Sequence, residues 1–439
     1  MTSIRTSDPL APLIVPRSGH SVSRVNISKS ALKVLYRLKD AGHQAFLVGG
    51  GVRDLLLGHR PKDFDIATDA RPEQVRKLFT NSRLIGRRFR LAHIRFGREI
   101  IEVATFRGTT PVADGDQQQV FHTSGRIIAD NVYGTIEEDA LRRDFTVNAL
   151  YYNIADYSIW VFADGLADLE SRQLRLIGDP DRRYTEDPVR MLRAARFAAK
   201  LDFVLHPDAV APIPAMASLL DDVPSARLFD EFLKMFQSGH ALSSYRHLRE
   251  FGLFRHLFPD TDCWLDDPAC AAEAAMIETA LNNTDQRVAV GKPVTPMFLF
   301  GVFLWRAVRL RSEQLLAESD DFSPMQALIA ATDEISARQI QHVALPRRFG
   351  FPMRDMLQLQ PQFANRQGRR AMNLLGHRRF RAAYDLMLLR ASSGEVDQDL
   401  ADFWTDIQEQ TEDQQRKSFG LTGRQRRPAK RRRRRGSPD

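Results

Sequence analysis

Two kinds of hydrophobic pattern divide the chain. Up to about residue 106, short apolar or alternating runs stand between turn residues, which is typical of strands, and two amphipathic stretches lie among them. The expected strands are 44–48, 63–66, 91–96 and 99–106, and the expected helices are 28–38 and 71–79, with another from Val52. From about Ile136 onward almost every pattern has the helical period. The later helices are expected at 187–201, 226–236, 242–251 and 379–390.

This change of pattern predicts an α/β head, built as a mixed sheet with helices, followed by an all-α neck, body and tail region. The first residues are polar, Ser-rich and aperiodic, and the last are charged and poor in apolar side chains, so both ends are expected to lack a packed fold. The predicted parts are a mobile N-terminal arm at 1–28, the head at 29–165, a helical neck at 166–240, a helical body at 241–410 and a disordered basic tail at 411–439.

Composition and the apolar runs narrow the class of protein. Hydrophobic residues make up 43% of the chain, but no run approaches the roughly 20 apolar residues that cross a bilayer. The short apolar stretch 10–15 contains Pro12 and lacks a cleavage region, so we expect no secretory signal and a cytoplasmic location. Two cysteines, Cys263 and Cys270, support neither a disulfide framework nor a zinc site.

The net charge of +8 is concentrated at the C-terminus. Nine basic residues lie between Arg424 and Arg435, so the remainder of the chain has a net charge of −1. A run of this kind gives salt-sensitive, sequence-independent affinity for nucleic acid, or it is only a disordered polycation. We expect RNA binding by its last five arginines, Arg431, Arg432, Arg433, Arg434 and Arg435.

A pair of carboxylates is the first candidate for chemistry. Residues two apart on a strand face the same side, so Asp63 and Asp65 project together while Phe64 and Ile66 point into the core. A bound Mg²⁺ would relieve the repulsion between the two carboxylates. Taken alone the pattern is weak, because a solvent-facing edge strand often carries two acidic residues.

The sequence before this pair strengthens the interpretation. A predicted strand ends in the glycines Gly49, Gly50 and Gly51, which allow backbone N–H groups to approach a triphosphate closely. Arg53 follows and is a candidate clamp for the phosphates. An ordinary strand-to-helix turn with surface charges is the alternative.

Two downstream clusters combine arginines with carboxylates. The run Arg142-Arg143-Asp144 could present guanidinium groups to phosphate and a carboxylate to ribose or metal, or it could be a solvated face of ion pairs. In the run 186–193, Asp187 suits a helix N-cap, but Arg190 and Arg193 on one face have no such explanation. A carboxylate and a guanidinium one turn apart can read the edge of a nucleobase.

Together these motifs resemble the class II nucleotidyltransferases of bacteria, a family that contains CCA-adding enzymes and bacterial poly(A) polymerases. The resemblance rests on the runs 47–58, 63–65, 142–146 and 186–190 and covers about residues 29–410. The segment 86–94, the helical runs 226–229 and 380–385 and the basic C-terminal end resemble the poly(A) polymerase branch. The implied fold is an α/β nucleotidyltransferase head, with a neck that recognises the base and binds RNA and a body that binds RNA.

The resemblance implies a role for each matching residue. Asp63 and Asp65 would bind the metal, and Arg142 through Asp144 would contact the ribose near the site. Asp187 with Arg190 would recognise the base. The full set expected to bind nucleotide is Gly49, Gly50, Arg53, Arg107, Arg142, Arg143, Asp187, Arg190 and Arg193.

The expected activity is template-independent transfer of AMP from ATP to RNA 3′ ends, with Mg²⁺ as cofactor and release of pyrophosphate. The catalytic set is Asp63, Asp65 and a third carboxylate, for which Asp144 is our choice, although Glu102 could face the same cleft. RNA, ATP and RNA-decay proteins are the expected partners. A CCA-adding tRNA nucleotidyltransferase is the near alternative, and a non-catalytic RNA-binding protein on the same scaffold is a more remote one.

Overall fold

A computed structural model describes residues 11–86, 90–108, 119–121, 127–130 and 132–421 of the protein. Most of its strands belong to one sheet in the first half of the chain. The strands are β1 Leu13–Val15, β2 Ala45–Val48, β3 Asp65–Thr68, β4 Ser82–Ile85, β5 Leu91–Phe96, β6 Glu99–Thr105, β7 Gln119–Phe121, β8 Ile127–Asp130, β9 Leu150–Asn153, β10 Ile159–Val161, β11 Gln173–Leu174 and β12 Val204–Leu205.

Helices surround this sheet and make up almost all of the later chain. They are α1 Lys29–Asp40, α2 Gly50–Leu56, α3 Pro72–Leu78, α4 Ile136–Leu141, α5 Gly165–Glu170, α6 Pro180–Glu186, α7 Val189–Leu201, α8 Pro207–Val210, α9 Ile213–Met216, α10 Ser225–Phe236, α11 Ala241–Glu250, α12 Phe254–Leu257, α13 Pro259–Asp262, α14 Ala271–Ala289, α15 Pro296–Glu318, α16 Pro324–His342, α17 Arg347–Gln358, α18 Gly368–Leu375, α19 Phe380–Ser392, α20 Gln398–Glu409 and α21 Glu412–Ser418. No helix in the described residues is both long and apolar enough to cross a membrane.

The large sheet has eight strands in the order β1-β10-β9-β2-β3-β6-β5-β4. Only β3 and β6 run parallel, and the other neighbouring pairs are antiparallel. Apolar side chains cover both faces. One face carries a large cluster that includes α1, whose N-cap Ser28 accepts the N–H of Ala31, and the other carries a smaller cluster around Phe46 and Tyr151. The predicted mixed sheet with helices is confirmed.

The chain divides into two compact units. The first comprises residues 1–235 and 243–257, and the second comprises 236–242 and 258–439. The second unit is helical, and its long helix α15 packs against α14, α16 and α17. The predicted neck ends at residue 240, whereas the contacts assign residues 243–257 to the first unit.

Three sequence-based predictions about the ends and middle of the chain are wrong in part. The N-terminal arm is not entirely mobile, because Leu13–Val15 pairs with Ile159–Val161 at the sheet edge. The region after Ile136, expected to be almost entirely helical, also contains β9 and β10, which complete the sheet within the predicted head. The tail is not disordered from Thr411, because α21 forms with Thr411 in a capping box. Each of these elements depends on pairing or capping rather than on a long periodic pattern.

Candidate active site

A row of directly opposed residues crosses six strands on one face of the large sheet. Pairing aligns Trp160 with Tyr151, Tyr151 with Val48, Val48 with Asp65, Asp65 with Glu102, and Glu102 with His93. Directly opposed residues project to the same face about 5 Å apart. The row therefore places the Glu102 side chain next to that of Asp65. In contrast, Asp144 lies outside the sheet.

The acidic end of the row borders an open cavity. The cavity has a volume of about 590 Å³ and is lined by Asp63, Asp65, Glu102 and His93 among others. Asp63 precedes β3 rather than lying within it, but the predicted alternation holds. Asp63 and Asp65 are exposed, while Phe64 and Ile66 lie in the larger apolar cluster. The structure thus brings the two predicted aspartates together with Glu102.

The carboxylates of this cavity repel one another. Although Asp65 is exposed at the cavity, the surrounding protein displaces part of the water around its carboxylate. This loss of solvation and then the charge of Glu102 raise the pKa of Asp65 to about 6, and Asp63 contributes in the same direction. Nε2 of His93 lies 2.9 Å from Oε1 of Glu102. A divalent cation would remove this repulsion, and hard carboxylate oxygens suit Mg²⁺.

Mg²⁺ also tolerates an incomplete set of protein ligands. Among the described residues, no group of three His, Cys, Asp or Glu side chains is arranged as a ready-made metal site. Mg²⁺ is usually bound by one or two carboxylates together with water and substrate phosphates. The donor set of Asp63, Asp65 and Glu102 therefore fits a magnesium ion that substrate helps to hold.

The glycine turn stands at the same end of the sheet. The helix after it begins at Gly50, two residues earlier than predicted, and Gly49 has φ of 68° and ψ of −132°. This backbone conformation is essentially restricted to glycine. A methyl group at Gly49 would lie 3.3 Å from Nη1 of Arg143, so the turn leaves room for that guanidinium.

Arg53 does not have the role that the sequence suggested. It is 1% exposed, Nη1 donates to Oδ1 of Asn148 at 2.6 Å, and Nε and Nη2 donate to Oδ1 of Asp54. Its guanidinium also lies over the ring of Phe197. Since protein groups occupy it, we reassign Arg53 from the phosphate clamp to holding Asn148 and Asp54 in place.

Three other predicted arginines lie near one another, and one of them, Arg143, stands beside the glycine turn. Nε of Arg143 donates to Oη of Tyr151 at 2.7 Å, and Nη2 donates to Oδ2 of Asp139 at 3.0 Å. The backbone N–H of Arg107 donates to Oδ1 of the same Asp139, and Arg142 donates to the carbonyl of Gly108. Burial alone lowers the pKa of Arg143, but Tyr151 and Asp139 outweigh it and hold that pKa above its ordinary value.

The remaining guanidinium groups are crowded. Burial and then the neighbouring Arg107 and Arg183 lower the pKa of Arg142 to about 10. Burial and then Arg190 lower the pKa of Arg183 to about 10. Cations that lower one another's pKa values repel one another, and a polyanion that binds among them removes this repulsion. The cluster beside the acidic cavity is therefore suited to a triphosphate.

Arg183 is a residue that the sequence reasoning did not single out. Its Nη2 donates to the carbonyls of Arg142 and Arg143 at 2.7 and 2.5 Å, and its Nη1 donates to Oε2 of Glu186 at 2.9 Å. It thus joins the Arg-Arg-Asp run to the start of the base-recognition run. Asp139, Tyr151 and His93 were also missed, because their importance depends on strand register and not on a local motif.

Asp144 has the contacts of a structural anchor. Its Oδ2 lies 2.7 Å from Nη2 of Arg193, and its Oδ1 accepts from the amide of Asn148 and the N–H of Phe145. Burial alone raises the pKa of this carboxyl, but Arg193 and Asn148 outweigh it and hold the pKa below its ordinary value. Asp144 and Arg193 are therefore already paired with each other. Because strand register sets Glu102 beside Asp65, the geometry favours Glu102 over Asp144 as the third carboxylate.

The side chains of Asp187 and Arg190 have different hydrogen-bond partners. Oδ2 of Asp187 accepts from Nη2 of Arg227 at 2.7 Å, while Nη1 of Arg190 donates to the carbonyl of Arg183 at 2.6 Å and to Glu186. The helix starts at Val189 with Pro188 as its N-cap, so Asp187 is not the N-cap that the sequence suggested, although its Oδ1 accepts the N–H of Val189. Base recognition by Asp187 with Arg190 stays a prediction. The arginines 431–435 and residues 87–89 lie outside the described residues.

Comparison with known proteins decides the family. The chain is 47% identical to poly(A) polymerase I of Salmonella typhi over 90% of this chain and 85% of that protein. The chain belongs to the poly(A) polymerase I family. Three family models agree: "Poly A polymerase head domain" at residues 45–175, "Probable RNA and SrmB- binding site of polymerase A" at 202–265 and "Polymerase A arginine-rich C-terminus" at 320–437.

Other similar proteins have lower sequence identity to this chain. A CCA-adding enzyme of Lactobacillus helveticus is 34% identical over 56% of this chain and 57% of that protein. The solved structure of the Thermotoga maritima CCA-adding enzyme complexed with tRNA has a TM-score of 0.58 at 19% identity, covering 90% of this chain and 85% of that one. The structural likeness confirms the predicted nucleotidyltransferase fold, and the sequence identity confirms the poly(A) polymerase branch.

The glycine turn gives a prediction for this member of the poly(A) polymerase I family. Gly49→Ala should strain the turn by about 1–3 kcal/mol and displace Arg143, because the new methyl group would lie 3.3 Å from Nη1. Because we expect Arg143 to bind a phosphate of ATP, this displacement should raise the KM for ATP by about tenfold or more. Steady-state kinetics and thermal unfolding measure the two effects.

Gly42→Ala is the matched control for this prediction. Gly42 also has a positive φ, of 86°, but a methyl group there would contact nothing within 4 Å. It should therefore lower the unfolding temperature and leave the KM for ATP unchanged. An equal KM in both variants would show that the turn does not position a triphosphate ligand.

Proposed function

We propose that this chain is a polynucleotide adenylyltransferase that extends RNA 3′ ends with AMP from ATP, without a template. The observation that carries the proposal is the 47% identity to poly(A) polymerase I over 85% of that protein's length. The site chemistry supports it, because an acidic cavity next to a cluster of arginines suits a metal–nucleoside triphosphate complex.

In this reaction the RNA 3′-hydroxyl attacks the α-phosphate of ATP in line with the leaving group. A bond forms between the 3′-oxygen and the α-phosphorus, the bond to the β-phosphate oxygen breaks, and pyrophosphate leaves. Asp63, Asp65 and Glu102 would hold Mg²⁺, which when bound activates the hydroxyl and neutralises the leaving pyrophosphate. We propose Glu102 as the third carboxylate because strand pairing sets it beside Asp65.

The arginines are proposed to orient the triphosphate. Arg143 lies beside the glycine turn with Arg107 and Arg142 near it, and Asp139 and Tyr151 fix the direction of the Arg143 guanidinium. Gly49 and Gly50 have no side chains, so they would allow the backbone to approach the nucleotide closely. Arg193 is proposed to act by holding Asp144 rather than by touching the nucleotide.

Recognition of adenine is proposed for the segment around Asp187 and Arg190. Arg227 and Glu186 hold these two side chains separately, so each presents a fixed polar group. RNA is proposed to contact residues 202–265, the segment matched by the RNA-binding family model, and the arginine-rich end. RNA-decay proteins are proposed partners, and the cytoplasmic location stays a prediction.

Incubating the purified chain with a generic RNA primer and one nucleoside triphosphate at a time tests the function. We expect long A-tracts with ATP and no extension with CTP, GTP or UTP alone. The control substrate is a tRNA that lacks its terminal CCA. Short products on that tRNA that require CTP, with no tract on the generic primer, would instead identify a CCA-adding enzyme. Absence of any incorporation would favour a non-catalytic RNA-binding protein.

A further inference from the structure

Helix α17 of the second unit exposes a phenylalanine. Phe351 has a relative exposure of 58%, and within the described part of the chain it makes no ring or cation contact. A single exposed apolar residue is common in proteins and by itself carries no meaning. Its neighbours on the helix decide what this ring can bind.

The helical period fixes those neighbours. Successive residues are rotated by about 100°, so Met353, Met356 and Leu357, which are buried, lie on the side opposite Phe351. Positions three and four residues before Phe351 share its face, and these are Arg348 and Arg347. The outer face of α17 is thus an aromatic ring flanked by two guanidinium groups.

The side chains of Arg347 and Arg348 make few contacts with the rest of the described residues. Both are exposed, and in the described residues neither forms an ion pair or hydrogen bond. The guanidinium of Arg348 only lies over the ring of Phe349 at 4.8 Å. One turn after Phe351, Asp355 accepts from Nη2 of Arg378, whose side chain is 74% exposed. The charges on that side of the ring are therefore paired, and the positive charge available to a ligand lies on the N-terminal side, at Arg347 and Arg348.

The sequence around Phe351 is also rich in positively charged residues. Residues 343–384 contain nine arginines and a single acidic residue, Asp355. A segment of this composition binds a polyanion, and an apolar protein partner would instead require a contiguous apolar patch. The ring adds a preference for a polyanion with flat apolar groups between its charges. Single-stranded RNA has that chemistry, because bases stack on aromatic side chains while arginines bind phosphates.

We propose that Phe351, Arg347 and Arg348 form a contact site for single-stranded RNA, with a base stacked on the ring and phosphates bound by the two guanidinium groups. This inference rests on the proposed function in one respect, namely that RNA is the substrate. The site lies in the second unit, whereas the candidate active site lies in the first. Its effect is on RNA affinity and on retention of the growing tract.

Equilibrium binding of oligo(A) RNA to the full-length chain tests the site. Phe351→Leu keeps the apolar volume and removes the ring, and it should weaken binding by about fivefold or more. Phe351→Trp keeps a stacking surface and should bind at least as well as the unaltered chain. Arg347→Gln with Arg348→Gln should reduce the slope of log affinity against log salt by about 1.4.

Ile340→Ala is the matched control, because Ile340 is exposed and lies on the neighbouring helix α16 of the same unit. It should leave binding unchanged. Phe351→Leu binding as tightly as the unaltered chain, or Phe351→Trp losing as much affinity as Phe351→Leu, would overturn the proposal. Incorporation of AMP by the unaltered chain is measured in parallel, so a failure of the proposed function is recognised separately from a failure of this site.

Discussion

Asp65→Asn should lower AMP incorporation by about a thousandfold, which corresponds to roughly 4 kcal/mol of lost transition-state stabilisation. Glu102→Gln should lower it by about a hundredfold or more and raise the Mg²⁺ concentration needed for half-maximal activity. The reason is the strand register, which sets the two carboxylates side by side at the cavity. Initial rates across a magnesium titration measure both effects.

Glu99→Gln is the matched control for this prediction. Glu99 also lines the cavity, but it lies on the opposite face of β6 from Glu102 and outside the row of opposed residues. Its replacement should leave the magnesium requirement unchanged. If Glu102→Gln behaved like Glu99→Gln, the third carboxylate would have to be sought elsewhere.

Asp144→Asn should destabilise the first unit by about 2–3 kcal/mol, because it removes the charge that pairs with Arg193. Breaking a fully buried pair costs about 3–5 kcal/mol, and the value here is smaller because the Arg193 side chain is 35% exposed. The magnesium requirement of the remaining activity should not change. Urea unfolding followed by a probe in the first unit, together with a magnesium titration, measures the two properties.

Glu73→Gln provides the comparison for Asp144→Asn. Glu73 pairs with Arg90 at 3.1 Å, but both side chains are more than half exposed, so little stability should be lost. A stable Asp144→Asn variant with a greatly increased magnesium requirement would return Asp144 to the role of metal ligand. It would also remove the structural role that we assign to its ion pair.

The fold class was predictable because long periodic segments and caps are local properties. Helix α1 begins after Ser28 as its amphipathic pattern and N-cap predict. Strand β1 was not predictable, because Leu13–Val15 is short and follows Pro12, and only pairing with Ile159–Val161 makes it a strand. Pairing between residues so distant in sequence leaves no local signal.

The candidate site was predictable in its residue types but not in all of its partners. The alternation at Asp63 and Asp65 and the arginine runs pointed to the correct part of the chain. The choice between Asp144 and Glu102 depends on strand register and on the buried Arg193, neither of which a motif contains. Arg53 shows the same limit, since its partner Asn148 is far away in sequence.

The order of strands in the large sheet has a consequence for synthesis on the ribosome. Strand β2, which leads into the glycine turn, lies between β3 and β9, and β10 is the one strand that pairs with β1 in the part of the chain that the structure describes. In a nascent chain the edge of β2 that β9 covers stays open until residue 153 has emerged, and β1 stays unpaired until residue 161 has emerged. Open edges of this kind favour pairing between chains. The sheet can therefore close only after translation of β10, and a chaperone that covers β2 until β9 has emerged would limit aggregation.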